Sequence, residues 1–119
     1  MGIKRLTEGE ARFMDIIWDS EPVPSGKLVE LCKEKLGWQK STTYTLIRRM
    51  SNKGLLKNEN STVTALVSRK EVQIAECNYM VDQTFAGSLP SFLVAFLGDR
   101  TLSREEADEL KKMIDRHSK

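Results

Sequence analysis

Apolar residues recur along this chain at two different periods, and the change of period divides it. Between Thr7 and Asp19, Met14, Ile17 and Trp18 recur three and four residues apart, as on one face of a helix. Thr7 followed by Glu10 is a capping box, which gives that helix a start signal as well as a face. Glu21-Pro22-Val23-Pro24 ends it, because proline has no amide to donate and disfavours helix in the residue before it. Ser25 predicts the cap of a second helix, with Leu28, Leu31, Cys32 and Leu36 inward and Gly37 as its stop. A third helix is predicted from Ser41 to Lys53, halted by Gly54 in a left-handed C-cap. Its inward stripe is Thr43, Leu46, Ile47 and Met50.

Beyond Gly54 the period shortens. Asn58-Glu59-Asn60-Ser61 is a turn-forming cluster before the β-rich stretch Thr62 to Val67, which together predict a short hairpin. Ser68 with Glu71 is a second capping box and opens a long helix through Val72, Ala75, Tyr79 and Phe85, ending near Gly87. Pro90 suits the first turn of a short helix from Ser91 to Leu97, apolar on almost every side. Ser103 with Glu106 starts a last helix whose Ala107, Leu110 and Ile114 are expected to face inward. Three helices followed by a hairpin are the layout of a winged helix-turn-helix. The expected fold is therefore mainly α with a small β-hairpin: a winged-helix DNA-binding domain over residues 1–67 and a helical dimerisation region over 68–119.

Composition narrows the classes. At 119 residues, 39% hydrophobic and 30% charged, the chain suits one globular domain or a small domain with a helical appendage. The longest apolar run, Phe92 to Leu97, is far short of the roughly 20 residues a bilayer requires, so no membrane insertion is expected. Met1 to Leu6 lead at once into Glu8 and Glu10 with no signal-peptide core, which predicts a cytoplasmic protein. Cys32 and Cys77 share no metal or redox spacing and are expected to be buried thiols, with no disulfide, metal or cofactor.

Charge changes the picture more. The net +2 hides a window, residues 40–58, with five basic and no acidic side chains: Lys40, Arg48, Arg49, Lys53 and Lys57. At roughly 100° per residue, the face of the third helix opposite its apolar stripe holds Ser41, Thr45, Arg48 and Asn52. Thr42 and Arg49 flank that face on one side and Tyr44 on the other. A B-form major groove accepts one helix, Arg can pair bidentately with guanine or a phosphate, and Thr can bond a phosphate or cover a thymine methyl. Lys40, Ser41, Thr42, Thr45, Arg48 and Arg49 are thus the candidate DNA-binding residues, with a solvated helix face as the alternative. Ser41 serves equally well as a plain N-cap. Catalysis finds no support: the single histidine, His117, is third from the end, and no nucleophile, acid/base pair or phosphate loop can be assembled. The chain is not expected to be an enzyme.

Tyr79, Phe85, Leu89, Phe92, Leu93, Phe96 and Leu97 exceed what a wing-capping helix requires and form the candidate dimer interface; the alternative is a satellite core within one chain.

Taken together, these residues resemble the penicillinase and methicillin-resistance repressors and the related copper-operon repressors, the BlaI/MecI/CopY type. The likeness spans nearly the whole chain. It rests on Leu6-Thr7-Glu8-Gly9-Glu10 and Trp18, on Trp38, Thr42, Thr45, Leu46, Ile47 and Arg49-Met50, and on Lys53-Gly54-Leu55-Leu56. Leu66 to Glu71 and Phe85-Ala86-Gly87-Ser88-Leu89 with Phe92, Leu93, Ala95, Phe96 and Leu97 extend it. The resemblance implies a homodimeric transcriptional repressor on a palindromic operator of double-stranded DNA, in a β-lactam-resistance or related stress-response operon. In the antibiotic-responsive members it also implies inactivation by proteolysis triggered from a membrane-bound sensor. The staphylococcal members are cut between Asn and Phe, and the matching pair here is Ala95-Phe96. The family hairpin carries a Gly-Arg turn and alternating aromatics, which the shorter Lys57 to Ala65 lacks. The cysteine-rich end of the copper-sensing branch is absent too. A competing class is a winged-helix protein–protein interaction module without operator binding.

Overall fold

The computed structural model describes Ile3 and residues 5–119; Met1, Gly2 and Lys4, within the N-terminal stretch read above, lie outside it. The elements run α1 (Glu8–Ser20), β1 (Val23–Pro24), α2 (Ser25–Leu36), α3 (Lys40–Asn52), β2 (Leu56–Glu59), β3 (Thr62–Ala65), α4 (Arg69–Phe85), α5 (Leu89–Leu97) and α6 (Arg104–His117). They form two compact units, Met1–Tyr79 and Met80–Lys119.

In the first unit the Thr7 hydroxyl accepts the Glu10 amide at 3.1 Å and the Glu10 carboxylate accepts the Thr7 amide at 2.9 Å, the reciprocal pair the spacing predicts. Helix α1 then buries Phe13, Met14, Ile16 and Ile17, a wider face than Met14, Ile17 and Trp18 alone suggest. These meet Leu28 and Cys32 of α2, Leu46, Ile47 and Met50 of α3, and Leu55, Leu56 and Val63 around the hairpin. Removing such side chains from water is worth roughly 1.5 to 3 kcal/mol each, enough for one core to hold all three helices. The buried positions of α3 are Thr43, Leu46, Ile47 and Met50, as its period predicts.

Gly37, at φ +71°, ends α2 in the left-handed conformation that a Cβ would strain. Its amide donates to the Lys33 carbonyl at 3.0 Å, the single bond of an αL ending, and the Trp38 amide reaches the Cys32 carbonyl at 3.3 Å. Three residues later α3 has begun, so α2 and α3 form a helix-turn-helix. Trp38 stacks on Phe13 with ring centroids 5.8 Å apart, which fixes where α3 starts. The helix begins at Lys40 with Gln39 at the N-cap, so Ser41 is a first-turn residue rather than the cap. Ser25 likewise opens α2 from inside, with Pro24 at its cap position.

The wing is an antiparallel sheet in the order β1-β3-β2. Asn60 and Ser61 join β2 to β3 with both φ values positive, the two-residue turn that matches strand twist. The hairpin is as expected, but the sheet has one strand more. Val23 pairs with Val63 and Pro24 with Thr62, on an edge where proline's missing amide leaves no broken ladder.

The root of α4 is tied to α1. The Trp18 indole donates to the Val67 carbonyl at 3.0 Å, Arg69 reaches Asp15 at 3.2 Å and Asp19 at 2.9 Å, and Val72 is buried. In the second unit Phe92 lies edge-on to Phe85 and stacked on Phe96, both with centroids 5.6 Å apart. Neither α5 nor α6 buries a residue, and Leu110 and Ile114, expected inward, are exposed. Cys77 is exposed as well, against the expectation of two buried thiols; Cys32 is buried. Among the described residues no single helix is long and apolar enough to cross a membrane.

Candidate nucleic-acid interface

The face of α3 turned away from the core presents the side chains that the sequence marks. Lys40, Ser41, Thr45, Arg48 and Arg49 are exposed and Thr42 is half-buried. The helix therefore brings all six candidates to one side of the first unit, with Lys40 at the edge, its ammonium 5.9 Å from the Tyr44 ring centroid. Helix α3 has no acidic residue in its first turn and no side-chain cap, so its leading amides and the positive end of its dipole are open to an anion.

The five cations of the window are not equivalent. Lys53 Nζ lies 2.8 Å and Arg49 Nη1 3.7 Å from Oε2 of Glu10. Lys57 lies 3.8 Å from Glu59 on the wing. Among the described residues Lys40 and Arg48 are the two of the five without an ion pair. The window itself holds no acidic residue, and the partner of Arg49 sits outside it, on α1. Arg48 keeps its full charge for a ligand.

Glu10 is the residue that pattern reading missed. Its carboxylate is only 2% exposed, and both oxygens are used, one by the Thr7 amide and the other by Arg49 of α3 and Lys53 just past its end. Burial alone would raise its pKa, but the Lys53 hydrogen bond, the Thr7 amide and the charges of Lys53 and Arg49 outweigh it and hold the pKa below the usual 4.5. A carboxyl with a depressed folded-state pKa contributes stability that is present above its unfolded value and lost as pH falls through the folded one. Wild-type melting temperature is thus expected to fall with pH below about 4.5 more steeply than that of Glu10→Gln, measured by calorimetry. Parallel profiles would contradict the assignment.

A second missed group borders the wing. Tyr44, Ile47, Arg48, Ser51 and Asn52 of α3 and Asn58 of β2 line a cleft of about 270 Å³. The wing thus places one polar side chain, Asn58, beside the free guanidinium. The only trace of this in the sequence is that Asn58 is polar and uncharged in a segment that reads as a turn.

The chain matches the family model described as penicillinase repressor over residues 6–116. The methicillin resistance regulatory protein MecI of Staphylococcus aureus is 24% identical over 115 residues, covering 93% of this chain and 94% of that protein. The penicillinase repressor of Bacillus licheniformis is 21% identical over 119 residues, 97% of this chain and 93% of that protein. Among solved structures, the monomeric form of B. licheniformis BlaI in complex with the blaP half-operator aligns over 58% of this chain and 89% of that one, with a TM-score of 0.51 and 19% identity. At that identity the structural likeness speaks for the winged-helix fold.

Proposed function

The chain belongs to the penicillinase repressor family, and from that premise we propose that it represses transcription as a homodimer that lays α3 in the major groove of each half of a palindromic operator. Membership of a repressor family agrees with the expectation that the chain is not an enzyme. The observation that carries the DNA-binding reading is the unpaired Arg48 on an exposed helix face with Ser41, Thr42 and Thr45, in a helix-turn-helix whose opposite face is core. The proposed contact set is Lys40, Ser41, Thr42, Thr45, Arg48 and Arg49, with Asn58 added from the wing.

Arg48→Ala is expected to weaken binding to the operator by about 1 to 3 kcal/mol at unchanged melting temperature, since the side chain is exposed and makes no ion pair among the described residues. Gel-shift titration against a duplex from the DNA flanking the gene measures it. Thr45→Ala is expected to cost less and to change base preference. Wild-type affinity that does not fall with salt would replace this reading with protein docking, because phosphate contacts release counterions.

The proposed dimer face consists of Tyr79, Phe85, Leu89, Phe92, Leu93, Phe96 and Leu97, and the proposed domain division keeps residues 1–67 for DNA and 68–119 for assembly. A membrane-bound sensor protease is the proposed inducer-linked partner. Ala95 and Phe96 are both exposed on α5, so a local opening of that helix would present their peptide bond. Cutting there would separate Phe96 and Leu97 from the rest of the face.

A further inference from the structure

Glu10 does more than cap its own helix. Its Oε1 accepts the Thr7 amide, while its Oε2 sits 2.8 Å from Lys53 Nζ and 3.7 Å from Arg49 Nη1. The two cations remain accessible, at 35% and 50% side-chain exposure, whereas the carboxylate is 2% exposed. A polyanion arriving at α3 therefore meets Arg49 and Lys53 with their counter-charge already behind them, inside the protein. A guanidinium has five donors in a rigid fork, so one edge can face Glu10 and leave the other free.

Resting on the repressor reading above, we propose that Glu10 is a positioning residue and an internal counter-ion for the DNA-binding face, holding Arg49 in one orientation and suppressing attraction to DNA of arbitrary sequence. Non-specific binding is almost wholly electrostatic and grows with every cation free to replace a counterion on the phosphates. Specific contacts depend on where the donors point. A buried carboxylate that partly cancels two cations while fixing one thus lowers the first term and preserves the second. That combination raises discrimination rather than affinity.

The test compares the wild-type chain with Glu10→Gln, which retains an oxygen for the Thr7 amide and is accepted in capping boxes. Affinity for a mixed-sequence duplex is read by fluorescence anisotropy across a salt series. Glu10→Gln is expected to bind this duplex roughly five- to tenfold more tightly near 0.1 M salt and to steepen the plot of log affinity against log salt by about one to two. Equal affinities and equal slopes would overturn the proposal. Two variants outside the capping box keep it falsifiable should Glu10→Gln fold poorly. Arg48→Ala is expected to reduce the wild-type slope by about one, and Lys53→Met to leave it nearly unchanged, since the Lys53 charge is already answered. Equal reductions in both would also overturn it. If the wild-type chain shows no salt-dependent binding at all, the repressor reading itself fails, a result distinct from either outcome.

Discussion

Leu89→Glu combined with Phe96→Glu is expected to leave the chain monomeric at roughly tens of micromolar, where the wild type is expected to scatter light as a dimer. On a duplex with both half-sites, affinity is expected to fall by about 10² to 10⁴, while affinity for a single half-site stays as it was. The magnitude follows from effective concentration: a linked second half-site is met at about millimolar local concentration, and that advantage vanishes when the link is cut. Leu89 is 57% exposed, Val94 76% and Phe96 49%, all on one nine-residue helix that buries nothing. Leu110, Met113 and Ile114 of α6 are exposed too. Large apolar side chains left exposed in such number are rare on proteins that stay monomeric, so a second copy is the economical cover. Phe96 also stacks on Phe92 and lies under Arg100, 4.4 Å from its ring centroid, so Leu89→Glu alone serves as the variant that leaves those contacts in place. A double variant that remains dimeric would take this face out of the assembly.

The parts of the fold that were legible in the sequence are those in which a single element decides its own geometry. Thr43, Leu46, Ile47 and Met50 could be named as the inner stripe of α3 because a half-buried helix must repeat its apolar residues at its own period. The same arithmetic placed Thr45 and Arg48 outward. Capping boxes at Thr7, Ser68 and Ser103 were legible because both partners lie three residues apart. What the sequence hid are contacts made across the chain. Glu10 and Lys53 are 43 residues apart, and the box had already supplied a reason for the carboxylate, so its second oxygen went unaccounted for. The two-residue β1 contains Pro24, directly follows Pro22 and has no period of its own; only its pairing with β3 makes it a strand.

Faces without a cover are the second class of miss. Periodicity correctly marks Leu110 and Ile114 as one apolar side of α6, yet says nothing about what lies against it. Both side chains stay exposed. Cys77 shows the same limit: a thiol within an apolar-looking pattern, it falls on the open side of α4. The exposure of the candidate residues on α3 is more legible than an interface for a physical reason. A DNA-reading face needs only exposure and the right donors on one helix, whereas an interface needs a partner that the sequence of one element cannot specify.

The largest stability effect is expected at Phe13. It is fully buried, and its ring stacks on Trp38 at 5.8 Å with an interplanar angle of 25°. Phe13→Ala removes the ring and leaves a cavity, a change that typically costs about 3 to 5 kcal/mol. A single domain of this size has only about 5 to 15 kcal/mol to lose. At roughly 4 to 8 °C per kcal/mol for a unit of 60 to 100 residues, the melting temperature is expected to drop by at least about 12 °C, measured by calorimetry. The consequence reaches the DNA face, because Trp38 stands two residues before the start of α3 and its seat is what sets that start. Phe13→Leu, which keeps most of the volume but loses the stacking, separates the two effects. It is expected to recover most of the stability and still bind operator more weakly than wild type, since an aliphatic side chain fills the core without orienting the indole. A drop of less than about 5 °C for Phe13→Ala would mean that the core collapses around the missing ring, and that Trp38 is held in place by something other than the stack.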